Sequence, residues 1–219
     1  LQNYEARCDY FNHVLAVSTN EMPTLQKLFP SAKVHYLPSF HPYSKIKAES
    51  GRGKYCIYHG NLSIPENQKA VDYLVGQIFS SLKIPLIIAG KNPSAKILSY
   101  ANEWIQVIAD PSIKQMQELI ADAHIHVLPI FQDTGLKLKL LSTLFGGRFC
   151  VTNDCFIEPS LQETIVKVES AEAFRHAVVD LMQRDFTEED MEIREIALDD
   201  FQNDTLLKKL LKILWPYVY

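Results

Sequence analysis

The chain has 219 residues, of which 47% are hydrophobic and 22% are charged, and its formal net charge is −4. The scattered Lys and Arg exclude the basic footprint of a nucleic-acid-binding protein, and no apolar run is long enough for a membrane span or a signal peptide. The cysteines lack CxxC spacing, and Cys56 and Cys150 lie in apolar runs, which predicts buried thiols and a cytoplasmic protein.

The first elements predicted along the chain are two strands that flank one helix. The strands are residues 14–18 and 34–38, and the helix runs from about Asn20 to Phe29. Residues 40–54 are polar and contain proline and glycine, a composition typical of a linker. We therefore place a domain boundary at residue 41.

The following region alternates short apolar runs, rich in β-branched residues, with amphipathic helical periods. Such alternation predicts an α/β fold, a Rossmann-like doubly wound parallel sheet with helices on both faces. The six predicted strands are residues 55–58, 86–89, 105–108, 126–130, 149–152 and 164–168.

Polar residues predict where the helices between these strands begin. One capping box is expected at Ser63–Glu66, a second joins Ser112 to Gln115, and Ser170 caps another helix. The helix after Ser112 is expected to bury an apolar face that starts at Ile113.

The most informative segment is residues 129–153, where an apolar strand, a short polar loop and a helix follow one another. The first turn of a helix has unpaired backbone N–H groups and the positive end of the macrodipole, and a glycine lets a ligand approach the backbone. Lys137 and Lys139 lie just inside this helix, where cations are disfavoured unless an anion is nearby. The segment therefore predicts an anion site at Thr134, Gly135, Leu136 and Lys137.

In the same segment, Gly-x-x-Leu-Lys is followed by apolar residues and then by a glycine before a short strand. The members of this pattern are Gly135, Lys137, Leu138, Lys139, Leu141, Leu144 and Gly147. The pattern resembles the donor site of retaining GT-B glycosyltransferases, family 4 especially, although the glutamate that holds the nucleotide ribose in that family is Ser142 here. The resemblance implies a nucleoside-diphosphate sugar as donor, with its diphosphate against the segment around Lys137 and its ribose near Ser142. It also implies a retaining hexosyl transfer that needs no metal and no other cofactor.

Three further residues follow predicted strands, at the edge where open α/β sheets bind ligands. Gly60 and Asn61 come after the first of the six strands, and Asn61 stands where the resembling family has a phosphate-binding arginine. These two residues are expected either to face the donor or to form a tight turn without a ligand. Lys91 follows the second strand, and it is expected either to pair with the diphosphate or to be an ordinary solvated lysine.

His124 and His126 alternate along one strand, a spacing that would be compatible with a metal site. A metal site needs more ligands than two histidines, and the sequence offers no third one in a recognisable pattern. We therefore expect hydrogen-bonded histidines and no bound metal.

The resemblance also predicts how the chain is divided. Residues 1–40 correspond to the tail of an N-terminal acceptor domain, residues 41–185 to a Rossmann-like nucleotide-sugar-binding domain, and residues 186–219 to helices that cross back to the acceptor domain. We expect the chain to be a piece of a longer protein, and the apolar faces of its two ends to favour self-association. The lysines of residues 206–215 leave peripheral contact with the inner face of a membrane as an alternative to packing.

The function implied by the resemblance is that of a glycosyltransferase, with this chain as its donor-binding half and a glycan or lipid-linked glycan as acceptor. The fragment alone is expected to be inactive, because the acceptor-binding groups would lie on the other domain. A catalytically inactive homologue that serves as a binding or scaffold protein is the main alternative, since Asn61 and Ser142 replace charged donor contacts. An epimerase or a flavodoxin-like module would share the architecture, but the residues that they require are not evident.

Overall fold

The computed structural model describes residues 11–131, 138–153 and 155–216. The strands are β1 (His13–Ala16), β2 (Lys33–Tyr36), β3 (Cys56–Asn61), β4 (Leu86–Lys91), β5 (Ile105–Ala109), β6 (Ile125–Val127), β7 (Phe149–Asn153) and β8 (Val166–Val168). The α-helices are α1 (Met22–Leu28), α2 (Pro65–Tyr73), α3 (Ala95–Leu98), α4 (Ile113–Asp122), α5 (Leu138–Gly146), α6 (Ala171–Gln183), α7 (Glu188–Leu198) and α8 (Asn203–Leu214). Helix α2 continues as a π-helical turn, Leu74–Ile78.

Six of the strands form one parallel sheet in the order β5-β4-β3-β6-β7-β8. The chain builds outward from β3 in one direction, then returns to β6 and builds in the other, so the order reverses between β3 and β6. This reversal is the topological switch point of a doubly wound sheet, and ligands of such folds bind beyond the carboxyl ends of the strands there. The predicted α/β class and its six strands are confirmed.

The central strands begin with apolar residues, and these are buried because both faces of the sheet are covered. Cys56, Ile57 and Tyr58 of β3 are fully buried, as are Ile88 and Ala89 of β4. Each Å² of apolar surface that is removed from water stabilises the fold by about 25 cal/mol, so this layer is the main source of stability. The polar residues at the strand ends, rather than those along the strands, are therefore the ones available for ligand chemistry.

Two of the predicted helix starts are confirmed by their hydrogen bonds. Ser112 and Gln115 form a reciprocal capping box at the start of α4, and the Ser170 hydroxyl accepts a hydrogen bond from the backbone N–H of Ala173 at the start of α6. Such caps satisfy backbone groups that the first helical turn leaves unpaired.

Two details of the predicted helices are wrong. The capping box at Ser63–Glu66 does not form, because Ser63 donates through both its backbone N–H and its hydroxyl to the Asn61 side chain, and α2 starts at Pro65 without a side-chain cap. Ile113 is 82% exposed rather than part of a buried face, because it is the first residue of α4 and the buried face begins one turn later.

The described residues divide into two compact units. One comprises residues 11–44 and 198–216, in which β1 and β2 pair in parallel and the His41 ring contacts the carbonyl oxygen of Phe201 at 2.7 Å. The other comprises residues 45–131, 138–153 and 155–197, with the six-stranded sheet. The division thus falls after residues 44 and 197, whereas the sequence suggested divisions after residues 40 and 185. The assignment of the first unit to an acceptor domain stays a prediction.

Residues 186–197 belong with the sheet because two buried side chains hold them there. The Arg194 guanidinium donates to the carbonyl oxygens of Gly147 and Arg148, and it lies 4.6 Å from the ring centre of Phe186. Arg194 is only 2% exposed, and burial lowers its pKa to about 10. Phe186 in turn exchanges two backbone hydrogen bonds with Gly51.

Cys56, Cys150 and Cys155 are free thiols in the interior, as expected for two of them from the sequence. Burial raises the pKa of the Cys150 thiol to about 12, so this side chain behaves as a small hydrophobic residue. No helix in the described ranges combines the length and the apolar character needed to cross a membrane.

Candidate functional site

The candidate site lies at the carboxyl ends of β3 and β4, beside the topological switch point. Three of the residues predicted from the sequence meet there, because Gly60 pairs with Gly90 and Asn61 pairs with Lys91 in the parallel register of these strands. Ser142 is elsewhere, partly buried on α5. The predicted anion loop of Thr134, Gly135, Leu136 and Lys137 lies outside the described residues.

Asn61 builds the turn that leads from β3 into α2. Its side-chain oxygen accepts hydrogen bonds from the Ser63 backbone N–H at 3.1 Å and from the Ser63 hydroxyl at 2.8 Å. Its backbone carbonyl accepts a third from the Asn67 amide at 2.6 Å. The tight turn, one of the two alternatives for Gly60 and Asn61, is therefore present. Contact of these residues with a donor stays a prediction.

Gly60 has no side chain because other groups occupy the space. A Cβ at this position would lie 3.2 Å from the Asn67 amide nitrogen and 3.4 Å from the Lys139 Nζ, and the φ angle of +157° also favours glycine. Gly90 is more tightly constrained, since a Cβ there would lie 1.8 Å from the Gly60 carbonyl oxygen. Two glycines thus bring the ends of β3, β4 and the amine of Lys139 close together.

Lys139 reaches this edge from the first turn of the described part of α5. Its ammonium donates to the Tyr58 hydroxyl at 3.0 Å and to the Asn67 side-chain oxygen at 2.5 Å, and it lies 4.8 Å from the centre of the Tyr58 ring. The Tyr58 hydroxyl donates to the same Asn67 oxygen at 3.1 Å. We call these three residues the Lys139 cluster.

The electrostatics of the Lys139 cluster follow from burial. Desolvation lowers the pKa of Lys139 to about 8, and it raises the pKa of the Tyr58 phenol well above its usual range. At neutral pH the amine is therefore still mainly a cation, whereas both of its hydrogen-bond partners are neutral. The arrangement can bind an anion, and it offers a donor that has been partly stripped of water.

Sequence reasoning recognised Lys139 as part of the motif but assigned the anion to Lys137. The signal that could have identified Lys139 is its helical spacing, because Thr143 lies four residues later and is fully buried on the same side of α5. A lysine that shares the buried face of an apolar helix is unusual, since lysines are almost never buried without a partner.

Lys91 is exposed, and only its backbone has a defined role, since its carbonyl oxygen accepts a hydrogen bond from the Leu62 N–H at 2.8 Å. The loops after β4 and β5 are tied together nearby. Asn92 and Asp110 both have positive φ angles, of 52° and 48°, and the Asn92 N–H donates to the Asp110 carboxylate at 2.8 Å. Such backbone conformations are uncommon for residues other than glycine, and they concentrate at functional sites.

The histidines form hydrogen bonds in the core. The His126 ring contacts the Thr143 hydroxyl at 3.2 Å and the Ile120 carbonyl at 3.2 Å, and the His59 ring contacts the same hydroxyl at 3.4 Å. We call His59, His126 and Thr143 the Thr143 cluster. Gly147 of the predicted motif has its physical explanation here, because a Cβ would lie 1.9 Å from the His126 ring.

His124 also lies in the core, where its ring contacts the carbonyl oxygens of Leu181 and Arg184 at 2.8 and 2.9 Å. The expected hydrogen-bonded histidines are therefore present. Within the described ranges, no group of three or more His, Cys, Asp or Glu side chains is arranged to hold a metal ion.

Comparison with known proteins places this chain in a family. The family model described as glycosyl transferases group 1 matches residues 53–184, which is more than half of the chain. No curated protein matches the sequence. Among solved structures, the chain is similar to a TarM variant from S. aureus in complex with fondaparinux, alpha-GlcNAc-glycerol and UDP. The TM-score is 0.74 at 13% identity, and the similarity covers 98% of this chain and 46% of that one.

Two further similar structures have TM-scores of 0.68 and 0.67. The first is HepE from Anabaena in complex with UDP and glucose, at 9% identity, with 97% of this chain and 66% of that chain covered. The second is a UDP-forming alpha,alpha-trehalose-phosphate synthase from Burkholderia xenovorans in complex with glucose-6-phosphate, at 8% identity, with 97% and 62% covered.

The chain spans less than half of the length of TarM. At such low identities these similarities establish the fold, which is that of the GT-B glycosyltransferases, and the family match adds the class of protein. The chain therefore belongs to the glycosyl transferases group 1 family and resembles the C-terminal domain of a GT-B glycosyltransferase.

Proposed function

We propose that this chain is the donor-binding half of a retaining glycosyltransferase that takes a hexose from a nucleoside-diphosphate sugar. The observation that carries the proposal is the position of Gly60, Asn61 and Lys91, which meet at the carboxyl ends of β3 and β4 beside the switch point. TarM and HepE, which share the fold, were both solved with UDP bound.

The loop of Thr134, Gly135, Leu136 and Lys137 would complete the site. In the sequence it lies between β6 and α5, and β6 pairs with β3 across the switch point. Backbone N–H groups of a glycine-containing loop before a helix bind phosphate well. Preorganised donors of this kind would stabilise the diphosphate as the glycosidic bond breaks.

The acceptor in this proposal is a glycan or a lipid-linked glycan, and the protein acts in the cytoplasm, with peripheral contact at the inner face of a membrane. The acceptor-binding groups would lie on a separate domain, with residues 1–40 as its tail. Since residues 186–197 pack with the sheet, residues 198–219 would be the part that returns to that domain. The isolated chain would then bind a donor without transferring sugar, and its exposed apolar faces would favour self-association.

A catalytically inactive homologue is the second candidate. The observation in its favour is that Asn61 directs its side-chain oxygen into the turn toward Ser63, where the resembling family has an arginine for phosphate. Ser142 likewise replaces a carboxylate, whose charge-assisted hydrogen bonds would be worth about twice those of a neutral hydroxyl. Such a protein would keep weak nucleotide binding and lose turnover.

Calorimetric titration with UDP, GDP, ADP and TDP tests donor binding by this chain. We expect one of them to bind, and we expect Gly135→Val to abolish that binding without changing the thermal midpoint, because a β-branched side chain blocks approach to the loop. Absence of binding by all four nucleotides would contradict the proposal. Turnover by the full-length protein with the corresponding nucleotide sugars then separates the enzyme from the inactive homologue.

A further inference from the structure

Among the residues that the structure describes, Lys139 is a partly buried cation without a negatively charged partner. The ion pairs in the described part of the chain join lysines and arginines to carboxylates, as in Lys54 with Asp122 or Lys96 with Asp72, and none includes Lys139. The ammonium has three N–H donors, and its two hydrogen-bond acceptors are a phenol and an amide. Within the described residues, one N–H donor and the positive charge therefore have no compensating partner.

Burial of such a charge lowers the free energy of unfolding, so the stability of the fold alone does not explain a lysine at this position. An ammonium that is withdrawn from water loses solvation, and hydrogen bonds to neutral groups recover only part of the loss. The cost is visible in the depressed pKa of Lys139, for which desolvation is the cause. A methionine would fill the same space without this cost, so the lysine requires an explanation outside the stability of the fold.

Three separate elements hold the ammonium in one place. Tyr58 comes from β3, Asn67 from α2 and Lys139 from α5, and all three lie in the unit that contains the sheet. The Asn67 amide is itself fixed by its donation to the carbonyl oxygen of Asn61. A lysine side chain normally has many conformations, so this fixation prepares the charge for a partner in a defined position.

The fixed ammonium points to the same edge as the candidate site. Gly60 is next to it, and a Cβ at Gly60 would lie 3.4 Å from the Nζ atom. The turn after β3, where the resembling family has a basic residue, has Asn61 and no basic side chain before Lys69. Lys139 thus brings a positive charge from α5 to the end of β3, where the local sequence has none.

We propose that Lys139 binds the diphosphate of the donor through its Nζ, and that Tyr58 and Asn67 act as positioning residues that hold the ammonium there. This inference rests on the proposed function, because it assumes that the ligand of the candidate site is a nucleoside diphosphate. An ammonium with an unused N–H suits a phosphate oxygen, and a charge-assisted hydrogen bond to an anion is stronger than those to the neutral partners. We expect the second phosphate of the ligand to make this contact, so the contact should raise the affinity for the diphosphate above that for the monophosphate.

The test compares the affinities of the diphosphate and the monophosphate of whichever nucleoside binds, in the wild-type protein and in Lys139→Gln and Lys139→Met. Wild type should bind the diphosphate at least tenfold more tightly than the monophosphate, and both variants should lose most of that ratio. Lys83→Met is the matched control, because Lys83 is exposed just before β4, at the opposite end of that strand from Lys91. Its ratio should equal that of wild type.

Thermal stability separates a binding role from a structural one. The Tyr58 hydroxyl already donates to the Asn67 oxygen, so both groups stay hydrogen-bonded when the lysine is removed. Lys139→Met should therefore keep or raise the thermal midpoint while diphosphate affinity falls. Lys139→Gln is shorter and uncharged but can still donate to the same oxygen, which keeps the comparison valid if the methionine variant does not fold.

Three outcomes would overturn the inference in different ways. If wild type binds a diphosphate and both Lys139 variants keep its full advantage over the monophosphate, the proposed function stands and the role of Lys139 is wrong. If wild type binds no nucleoside diphosphate, the proposed function fails and the inference fails with it. A loss of both affinities together with a lower thermal midpoint would assign Lys139 to the core instead.

Discussion

The Lys139 cluster and the Thr143 cluster are built from neighbouring residues but differ in one property. Lys139 and Thr143 are one helical turn apart on α5, and Tyr58 and His59 are consecutive on β3. In the Thr143 cluster each ring contacts an oxygen, burial lowers the pKa of both histidines, and the group is neutral at physiological pH. The Lys139 cluster is likewise joined by hydrogen bonds, but among the described residues its positive charge has no carboxylate partner.

This difference separates a polar group that serves the fold from one that serves a ligand. A buried neutral network in which every polar group has a hydrogen-bond partner stabilises a unique packing, and it leaves no donor or acceptor for a ligand. A buried charge with neutral partners is destabilising until an anion arrives. Burial of a charge among neutral partners does not by itself identify a functional residue, because Arg194 is such a cation and serves the fold. Lys139 differs in its position, since its ammonium lies at the edge of the sheet where ligands of this fold bind.

Acidification should have the largest effect, and it should act through the Thr143 cluster. Burial lowers the pKa of His59 to about 4, while an unfolded histidine titrates near 6.5, so protons favour the unfolded chain as the pH falls through this window. At about 1.4 kcal/mol for each tenfold change in proton affinity, His59 alone would cost roughly 3 kcal/mol of unfolding free energy by pH 4. His126 changes in the same direction.

Urea unfolding at a series of pH values measures this loss, and NMR titration of the imidazole protons assigns it. His59 should remain neutral in the folded protein at pH 5.5. His176→Gln is the control variant, because His176 is exposed on α6 and is not part of the Thr143 cluster. A free energy of unfolding that is constant between pH 7 and 4.5 would show that the two rings are not buried as neutral groups.

Removal of one hydroxyl should break the Thr143 cluster and leave the Lys139 cluster intact. Thr143→Val keeps the shape of the side chain, but His59 and His126 lose their shared partner. A buried group without its hydrogen bond costs about 1 to 3 kcal/mol, so we expect a loss of about 2 kcal/mol in urea unfolding. Thr143→Ser, which retains the hydroxyl, should lose less, and nucleoside diphosphate affinity should not change in either variant. Weaker nucleotide binding by Thr143→Val alone would join the two clusters into one site.

The pH dependence of diphosphate binding tests the Lys139 cluster in the same way as acidification tests the Thr143 cluster. With a pKa of about 8 in the free protein, Lys139 loses its proton above that pH, and wild-type affinity should fall about tenfold between pH 7 and 9. Burial keeps Tyr58 protonated and His59 neutral throughout this window, so neither of these neighbours titrates.

Lys139→Arg is the informative variant, because an arginine stays charged at every pH used. Its diphosphate affinity should be independent of pH between 7 and 9. Isothermal titration in buffers of different ionisation enthalpy would also show proton uptake on binding by wild type at pH 8.5 and none by the arginine variant. Equal pH profiles for the two proteins would remove Lys139 from the binding site.

The fold could be predicted because its signals are local. The apolar runs that became β3 and β4 are readable from a few residues each, and the cap at Ser112 depends on Gln115 three residues away. The cap at Ser63 was predicted wrongly because Asn61 competes for the same hydroxyl two residues earlier. Local patterns therefore fail where two local hydrogen-bond geometries compete.

The site could be predicted only in part, for a related reason. Gly60, Asn61 and Lys91 were identified because the carboxyl ends of parallel strands always share one edge of the sheet. The hydrogen bond between Lys139 and Asn67 joins residues 72 positions apart, and no periodicity encodes such a contact. The motif shows that α5 has a lysine, but only the fold shows which residues accept its hydrogen bonds.

Arg194 has a practical consequence for any attempt to produce this domain by itself. The family similarity ends at residue 184, yet the guanidinium that holds the carbonyl oxygens at the end of α5 comes from residue 194. An expression plasmid designed on the family limits would omit Phe186 and Arg194. The C-terminal end of α5 would then lose the hydrogen bonds of Arg194, and Lys139 lies in the first turn of the described part of the same helix. Weak nucleotide binding by such a shortened domain would then report on the choice of cloning boundary rather than on the chemistry of the site.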